Sequence, residues 1–369
     1  MTKKEIFLVI ISIILFLAMF EAFLRIFYPQ NVFVVMPEEA SSRIFEKSNE
    51  LPWMLRQNIS ERHRNIVGEW DVTIKTNSLG LRNDELQKDN KTRILVLGDS
   101  FTFGYGVENN ETYVNLLERR FNNSIGFINA GYAGGYSTDT EYVYLKNHGL
   151  KLKPDIVMLG FFIGNDISDI MSNSHWIENE EIKNVSSNIY YIDESNRLRV
   201  KGLEKKWYYD ANVYLSMKSH AYIFFKTKIR QVFQGMEPAE GTIYNEERNE
   251  NMSIAINTTK DLLLKINKIT NESNVGFVII LIPTREQVAG VKLVDKEGKK
   301  LDLEKINREF IGFFEDNGIN YIDLMPYLRN EENIYFKTDP HWNKNGHEVV
   351  ARAIYESLIN VKETNCNYV

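Results

Sequence analysis

The amino-acid sequence predicts an α/β protein, a three-layer α/β/α sandwich built around a mainly parallel sheet, and three observations support this fold. Short apolar segments, too short for helices and rich in aliphatic and β-branched residues, recur along the chain. Segments with the 3.6-residue spacing of amphipathic helices separate them. Several apolar segments stop abruptly at loops that carry glycine and polar side chains. Unbroken apolar runs are typical of strands that are buried on both faces, as in a parallel sheet covered by helices.

The composition is that of a globular protein with material for one large domain and insertions. The 369 residues are 43% hydrophobic and 25% charged. A formal net charge of -6 and a pI near 5.7, without any dense basic block, argue against a nucleic-acid partner. The single cysteine, Cys366, cannot form an intrachain disulfide and lacks the neighbours of a zinc site. We therefore expect no metal and no cofactor.

A membrane-targeting segment precedes the predicted domain. Residues 6–20 are apolar except for one serine, and the apolar character continues to position 28, a length that can span a bilayer. Because no Ala-x-Ala site follows, we interpret residues 1–29 as a cytoplasmic amino terminus and an uncleaved transmembrane signal anchor. Two lysines before the apolar run predict that the remaining chain is extracytoplasmic. Cleavage after Ala18 or Ala22, which would release a secreted protein, is the alternative.

Residues 30–84 carry no catalytic signature. Positions 69–76 alternate between polar and apolar residues as in a half-buried strand, and a turn-like segment follows them. We interpret residues 30–84 as a juxtamembrane arm that packs on the main domain, which would occupy residues 85–369.

The first buried strand of the main domain ends at a serine. Residues 94–97 form an aliphatic run that stops at the tripeptide Gly98-Asp99-Ser100. Residues 112–121 then have helical spacing. Ser100 would therefore lie at the carboxyl end of a strand, where open α/β sheets place ligands and chemistry. Since glycine, aspartate and serine are also ordinary turn residues, a plain turn serine is the alternative.

Two further strands bring polar groups to the same edge of the predicted sheet. Residues 125–128 lead into a glycine-rich loop that contains Gly134, and residues 155–163 end before Gly164-Asn165-Asp166. Because the carboxyl ends of parallel strands share one edge, these groups and the serine could converge there. Taken singly, the loop could be a tight strand-to-helix turn, and Asn165 could be a helix cap.

Residues 167–250 have the character of an insertion. Residues 188–200 are a hairpin candidate, and residues 212–233 form a long amphipathic segment. The insertion could provide a lid or a substrate wall, and the alternative is an ordinary aromatic helix packed on the sheet. Four aromatic residues would be available to stack on sugar rings: Trp176, Trp207, Tyr208 and Tyr209.

The α/β pattern returns after the insertion. Helical spacing is found at about 252–270 and 303–317, and the strand between these helices covers 276–282. A last short strand at 320–323 completes the predicted sheet.

An acid and a histidine follow the last strand. Asp339 and His341 must lie on a loop, because Pro340 cannot continue a helix, and an amphipathic helix then ends the chain. A serine hydroxyl is a poor nucleophile until an imidazole removes its proton, and the imidazole needs a carboxylate to fix its tautomer. Ser100, His341 and Asp339 are therefore the residue types of a Ser-His-Asp triad.

Two other interpretations of this segment remain open. His347 is the nearest rival histidine, but it lies at a helix start beside an apolar face and has no adjacent acid. An Asp/His pair could also be part of a metal site, for which Asp99 and Asp166 are the only further candidates in the strand-end loops.

In these segments the chain resembles the SGNH hydrolases, also called GDSL-like lipases or esterases, over about residues 76–362. The resemblance implies a flavodoxin-like α/β/α domain in which Ser100 attacks an ester carbonyl, His341 is the general base and Asp339 orients it. It also implies an oxyanion hole formed by the backbone N–H groups of Ser100 and Gly134 and by the Asn165 side chain. Four segments carry it, in this order: Gly98-Asp99-Ser100, Gly134, Gly164-Asn165-Asp166 and the Asp339/His341 pair.

The spacing of the last segment departs from the usual family pattern, because the acid lies two residues before the histidine instead of three. Similar Asp-x-His-Trp segments occur in the membrane-associated O-acyl transfer branch of the superfamily, which modifies bacterial polysaccharides. The resemblance implies a serine esterase or acyltransferase acting on O-acyl groups, above all O-acetyl groups, of a cell-surface or exported polysaccharide. The implied partners are an acylated carbohydrate or another ester, the membrane, and proteins of polysaccharide assembly.

Two alternative functions use the same scaffold. One is a non-catalytic envelope protein that binds glycan or other proteins. The other is a lipase or acylhydrolase, which would need a broad apolar groove for the acyl chain. The mixed charge and the many tyrosines of the insertion favour a polar substrate over a lipid.

Overall fold

The computed structural model describes residues 2–28, 43–64, 68–86, 92–178, 181–196, 198–201, 211, 214–215, 218–234, 243–245, 248–293, 299–337 and 339–363. In this part of the chain a five-stranded sheet forms the centre of the molecule, with four two-stranded sheets around it. Three of the candidate stacking aromatics and the single cysteine lie outside the described residues: Trp207, Tyr208, Tyr209 and Cys366.

The strands are short, as expected for a compact α/β protein. In chain order they are β1 (Phe45–Glu46), β2 (Met54–Leu55), β3 (Ser60–Arg64), β4 (Asp71–Lys75), β5 (Thr92–Gly98), β6 (Ile125–Gly131), β7 (Ile156–Phe162), β8 (Asn173–Glu178), β9 (Glu181–Ser187), β10 (Tyr190–Ile192), β11 (Leu198–Val200), β12 (Gly276–Ile282) and β13 (Asn320–Asp323).

Eleven α-helices accompany these strands in the described part of the chain. In chain order they are α1 (Lys3–Phe27), α2 (Ser100–Phe103), α3 (Tyr113–Arg120), α4 (Thr138–Asn147), α5 (Asp166–Met171), α6 (His220–Gln234), α7 (Glu250–Glu272), α8 (Arg285–Val288), α9 (Lys305–Asp316), α10 (Met325–Leu328) and α11 (Lys344–Glu363). Side chains cap several of the helix starts, among them Thr112 before α3 and Asn249 before α7.

The central sheet has the strand order β13-β12-β7-β5-β6, and every neighbouring pair is parallel. Because successive side chains of a strand point to opposite faces, β5 supplies two separate cores. Ile94 and Val96 pack with α3 and α11 on one face, while Leu95 and Leu97 pack with α4, α7 and α9 on the other. The three-layer α/β/α fold with a parallel sheet is therefore confirmed, and each predicted central strand is present.

Antiparallel hairpins surround the sheet. The predicted hairpin over residues 188–200 is present as β10 and β11, with Tyr190 opposite Val200. A second hairpin, β8 paired with β9, was not predicted. Only two side chains of β8 are even partly buried, so its sequence lacks the apolar alternation by which strands are recognised.

The amino-terminal helix α1 is long and apolar enough to cross a membrane by length and composition. Its most apolar window has a mean hydropathy of 2.8, and none of that window is buried in the protein. The predicted amphipathic segment of the insertion corresponds to α6, which contacts α1.

Candidate active site

Ser100 lies at the turn between β5 and α2 and is the first residue of that helix. Gly98 allows the turn, because its φ is +152° and a Cβ there would lie 2.1 Å from the Thr102 Oγ1. The Asp99 side chain caps the helix by accepting a hydrogen bond from the Phe101 N–H at 2.9 Å. The serine is therefore held at the carboxyl end of a central strand.

His341 lies within hydrogen-bonding distance of both Ser100 and Asp339. Its Nε2 is 2.6 Å from the Ser100 Oγ, and its Nδ1 is 2.5 Å from the Asp339 Oδ1. The same carboxylate oxygen accepts a hydrogen bond from the His341 backbone N–H at 2.9 Å. The two-residue spacing of acid and histidine therefore suffices for the contact, because one oxygen bridges the ring and the backbone.

The surroundings of Asp339 favour its ionised form. Burial raises the pKa of this carboxyl, but the charge of His341 and the hydrogen bonds from its ring and backbone outweigh burial, and the pKa lies below its ordinary value of 3.8. An ionised Asp339 that accepts a hydrogen bond from Nδ1–H leaves Nε2 as an acceptor for the Ser100 hydroxyl. This is the tautomer that a general base requires.

Aromatic rings enclose the imidazole. The ring centroids of Phe101 and Tyr105 lie 5.0 and 4.8 Å from that of His341. Tyr105 packs in turn on Trp70 and His63 of the arm, at 5.2 and 5.1 Å. His63 is 3% exposed, and burial lowers its pKa to about 3, so it stays neutral near pH 7. Uncharged rings from residues 63 and 70 thus pack against Tyr105, which contacts the site histidine.

Gly134 lies in the loop between β6 and α4, at the same edge of the sheet as Ser100. Its φ is +98°, and a Cβ there would lie 3.2 Å from the Trp53 ring. The Trp53 indole N–H donates to the Ala133 carbonyl at 3.2 Å, and the Tyr136 hydroxyl donates to the Trp53 carbonyl. Trp53 therefore holds the backbone of this loop.

Asn165 follows β7 and begins the turn into α5. Its amide donates to the Asp169 Oδ2 at 3.0 Å, and its Oδ1 is buried without a hydrogen bond to any described residue. The structure therefore brings Asn165 to the expected edge of the sheet, but its amide is directed to Asp169 in this state.

Arg82 was not among the residues singled out from the sequence. It is fully buried, and its guanidinium donates to the carbonyls of Phe103 at 2.6 Å, of Gly104 at 2.5 Å and of Val107. Its Cζ also lies 4.7 Å from the centroid of the Phe103 ring. Burial lowers its pKa to about 9. Arg82 therefore stabilises the loop that follows Ser100. Nothing in the sequence around Arg82 indicates this role.

A group of buried carboxyls lies next to the nucleophile. Asp99, Glu141 and Asp166 are 1%, 2% and 0% exposed. Burial raises the pKa of Asp99 to about 6, and it raises the pKa of Glu141 and of Asp166 well above their ordinary values, with a further rise from neighbouring acids. The Glu141 oxygens have no hydrogen-bond partner among the described residues. Burial therefore favours the neutral form of both Glu141 and Asp166.

The two other interpretations of the terminal segment are not favoured. His347 is 1% exposed, its Nδ1 accepts a hydrogen bond from the Tyr113 backbone N–H at 3.2 Å, and burial lowers its pKa to about 3. These contacts indicate a structural role for His347. Over the described ranges, no three His, Cys, Asp or Glu side chains are grouped as they would be around a metal ion.

A comparison with protein-family models matches residues 243–365 to a family described as an SGNH hydrolase-like domain, acetyltransferase AlgX. The resemblance to SGNH hydrolases is thereby confirmed over about the last third of the chain. The matched range contains Asp339 and His341, whereas Ser100, Gly134 and Asn165 precede it. A search of curated proteins finds no match.

Several solved structures are similar to this chain at low identity. A psychrotrophic esterase, EstA from Pseudoalteromonas sp., is 12% identical, with 74% of this chain and 100% of that one covered and a TM-score of 0.40. An acetyl xylan esterase, AlAXEase, is 12% identical over 72% and 99% of the two chains, with a TM-score of 0.39. A lipase/acylhydrolase from Enterococcus faecalis is 14% identical over 73% and 96%, with a TM-score of 0.38. Likenesses this weak do not bear on activity or substrate.

Proposed function

We propose that the protein is a serine-dependent ester hydrolase or acyltransferase that acts on O-acyl groups, above all O-acetyl groups, of a cell-surface or exported polysaccharide. The observation that carries this proposal is the chain of hydrogen bonds from the Ser100 Oγ through the His341 ring to the Asp339 carboxylate. A non-catalytic binding protein has no need of a serine, an imidazole and an ionised carboxylate joined in this order.

In the proposed first half-reaction, the Ser100 Oγ attacks the acyl carbonyl carbon while its proton passes to the His341 Nε2. Asp339 stabilises the imidazolium that forms. The tetrahedral intermediate then collapses, the bond to the leaving alcohol breaks, and the alcohol oxygen takes the proton from Nε2. The acyl group is left on Ser100 as an ester.

The second half-reaction decides between hydrolysis and transfer. His341 takes a proton from either a water molecule or a sugar hydroxyl, whose oxygen attacks the acyl-enzyme. The proton then returns to the Ser100 Oγ as the acyl bond breaks. Water gives a free acid, and a sugar hydroxyl gives a new ester, so one triad can serve both reactions.

The proposed oxyanion hole consists of the backbone N–H groups of Ser100 and Gly134 and of the Asn165 amide. Asn165 would exchange its hydrogen bond to Asp169 for one to the oxyanion when substrate binds, since catalytic hydrogen bonds are often formed only in the complex. A donor of this kind typically lowers the activation free energy by about 3 to 4 kcal/mol.

The acetyl part of the proposal rests on the acetyltransferase named by the matched family, and the carbohydrate part rests on the location that we propose. We infer that α1 is an uncleaved membrane anchor with a cytoplasmic start, which would place the triad outside the cytoplasm, where exported polysaccharides are found. Trp176, which is 65% exposed on β8, offers a ring surface that suits a sugar.

The test is release of acetate by the full chain in detergent from p-nitrophenyl acetate and from acetylated xylan, beside the Ser100→Ala variant. Activity that is lost in the variant would support the serine mechanism. Equal background rates in both proteins would contradict the esterase. Addition of an oligosaccharide acceptor, with detection of acetylated product by mass spectrometry, would identify transfer. A strong preference for long acyl chains among model esters would favour the lipase alternative.

A further inference from the structure

One carboxylate joins the amino-terminal helix to the helix of the insertion. Glu21, near the end of α1, accepts a hydrogen bond from the Ser219 hydroxyl at 2.8 Å. It also accepts from the backbone N–H groups of His220 and Ala221, at 3.0 and 2.8 Å. A carboxylate in this place satisfies N–H groups that a helix start leaves without internal partners, and it complements the helix dipole. Glu21 therefore caps the first turn of α6.

Further contacts extend this junction. Arg25, one turn after the capping carboxylate, pairs with it at 2.8 Å and donates to the Lys218 carbonyl. The Phe20 ring centroid lies 5.6 Å from those of both Phe224 and Phe225. The two helices are thus joined by charged hydrogen bonds and by apolar rings.

The position of Glu21 along α1 sets the level of the junction in a bilayer. Glu21 follows Lys3 by 18 residues, which is about 27 Å at the rise of an α-helix. The hydrocarbon core of a bilayer is about 30 Å thick. With the lysines at one surface, Glu21 and Arg25 therefore reach the opposite interface, and α6 starts there.

The composition of α6 suits that interface. The helix has no acidic residue, and it carries two lysines, an arginine and four aromatic residues. Phe225 and Ile229, one turn apart, are 43% and 56% exposed, and on the adjoining end of α1 the Phe23 and Phe27 side chains are 53% and 70% exposed. Basic amphipathic helices with large apolar side chains lie in the headgroup region of membranes.

We propose that α6 lies on the membrane surface, held there by Glu21, with Phe225 and Ile229 inserted among the lipids. The occupant of this exposed face is the headgroup region of the bilayer. The inference rests on the retention of α1 that is part of the proposed function. Cleavage after Ala22 would remove the capping carboxylate.

Fluorescence quenching tests this placement. The only cysteine is replaced by Cys366→Ser, and Phe225→Cys or Ile229→Cys is introduced and labelled with an environment-sensitive dye. The full chain is reconstituted in vesicles of phosphatidylcholine and phosphatidylglycerol that contain nitroxide-labelled lipid. Ile254→Cys on α7, 55% exposed, is the matched control, and Phe16→Cys reports the anchor itself.

We expect nitroxides near the headgroup to remove most of the emission at positions 225 and 229 and to leave position 254 unchanged. Deep nitroxides should quench position 16 most strongly. Positions 225 and 229 that respond like position 254, with position 16 still quenched, would overturn the placement of α6 and leave the anchor standing. An unquenched position 16 would overturn both.

The role of Glu21 has its own test in the Ile229→Cys background. Glu21→Ala should lose most of the headgroup quenching at position 229, and Glu21→Gln, which keeps a carbonyl acceptor, should lose less. In a separate Phe16→Cys background, Glu21→Ala should leave the quenching at position 16 unchanged. Unchanged quenching in Glu21→Ala would contradict the proposal that Glu21 holds α6 on the membrane surface. Ester hydrolysis measured on the same vesicles separates this inference from the enzyme proposal, because quenching does not depend on turnover.

Discussion

Two sets of carboxyl groups lie around the site, and they differ in their neighbours. The first is Asp339 alone, and the second is the group of acids near the nucleophile. Asp339 lies beside the His341 ring, whose charge and hydrogen bonds hold the pKa of this acid below its ordinary value against the effect of burial. Glu141 and Asp166 lie near the nucleophile among other acids, and burial raises the pKa of each well above the ordinary value.

The difference teaches that burial and neighbours together decide which acid stays ionised: Asp339 is less deeply buried and has the hydrogen bonds and charge of His341, whereas Glu141 and Asp166 are fully buried near other acids. Desolvation penalises every buried carboxylate, and only a nearby positive charge or several donors can offset it. Near pH 7 the triad needs a negative group beside its imidazole, and Asp339 meets that need. Asp99, with a pKa of about 6, adjoins Ser100 but makes its hydrogen bond to the Phe101 N–H. This contrast supports Asp339 as the triad acid.

The largest expected effect on activity comes from removal of the proposed general base, His341. His341→Ala should lower the kcat for p-nitrophenyl acetate by at least about 1,000-fold, because Ser100 then has no acceptor for its proton. His148→Ala, a change of the same kind at a half-exposed histidine paired with Glu50, should leave kcat within about twofold. A loss of less than tenfold in His341→Ala would exclude this histidine as the base.

Asp339→Asn replaces the ionised carboxylate with a neutral amide of the same shape. We expect kcat to fall by about 100- to 10,000-fold, since an amide neither stabilises the imidazolium nor fixes the tautomer. Asp323→Asn is the matched control, because that carboxyl caps the Met325 N–H at the end of β13 and has no contact with His341. Equal activities of Asp339→Asn and Asp323→Asn would show that Asp339 contributes no more to catalysis than an acid outside the site.

Asn165 also contacts a buried acid, because its amide donates to Asp169. Its proposed role is to donate to the substrate instead. Asn165→Ala should lower kcat by about 100- to 1,000-fold with a smaller change in KM, as expected for a donor to an oxyanion. Asn147→Ala, a surface amide bound to Glu50, is the control. A change confined to KM would indicate a role in ground-state binding instead.

Glu141→Gln tests the raised pKa of Glu141 through the pH dependence of the free energy of unfolding. A raised pKa means that the folded state binds more protons, so the stabilisation is complete below the ordinary pKa of 4.5 and is lost as pH rises toward the folded pKa. Urea unfolding of the native chain should therefore show a decline in the free energy of unfolding as pH rises above 4.5, with a slope of at most about 1.4 kcal/mol per pH unit for this group.

The variant should show a flatter pH profile, because glutamine is neutral throughout. Glu272→Gln on the exposed face of α7 should keep the native profile. Parallel profiles for the native chain and Glu141→Gln would show that this acid is not held neutral. For Asp339 the sign is opposite, since its contribution is present above its ordinary pKa of 3.8 and is lost only as pH falls below that value.

Local sequence patterns account for the central sheet and for the residues at its edge. Ile94 to Leu97 and Gly276 to Ile282 are apolar runs that end at loops, and their strands are present. Asp339 and His341 lie on either side of Pro340, which cannot continue a helix and therefore indicates a loop. These signals lie within a few residues of the groups that they predict, so a single sequence is sufficient to find them.

The supporting residues could not be found in this way. Arg82 and Trp53 act through contacts with loops 20 to 80 positions away, and their own neighbours in the chain carry no sign of those contacts. Glu141 lies on a helix that is buried nearly all round, so its polar sequence did not indicate an interior acid. Tertiary packing, which no local pattern encodes, decides the position and charge of such groups.

The most direct test of the central claim is covalent labelling of the nucleophile. The full chain is treated with a fluorophosphonate, which reacts with an activated serine, and the modified peptide is identified by mass spectrometry. The account predicts one adduct, on the peptide that contains Ser100, with no adduct in Ser100→Ala and a much slower reaction in His341→Ala. An unmodified Ser100, or a label on another residue that persists in Ser100→Ala, would contradict the account.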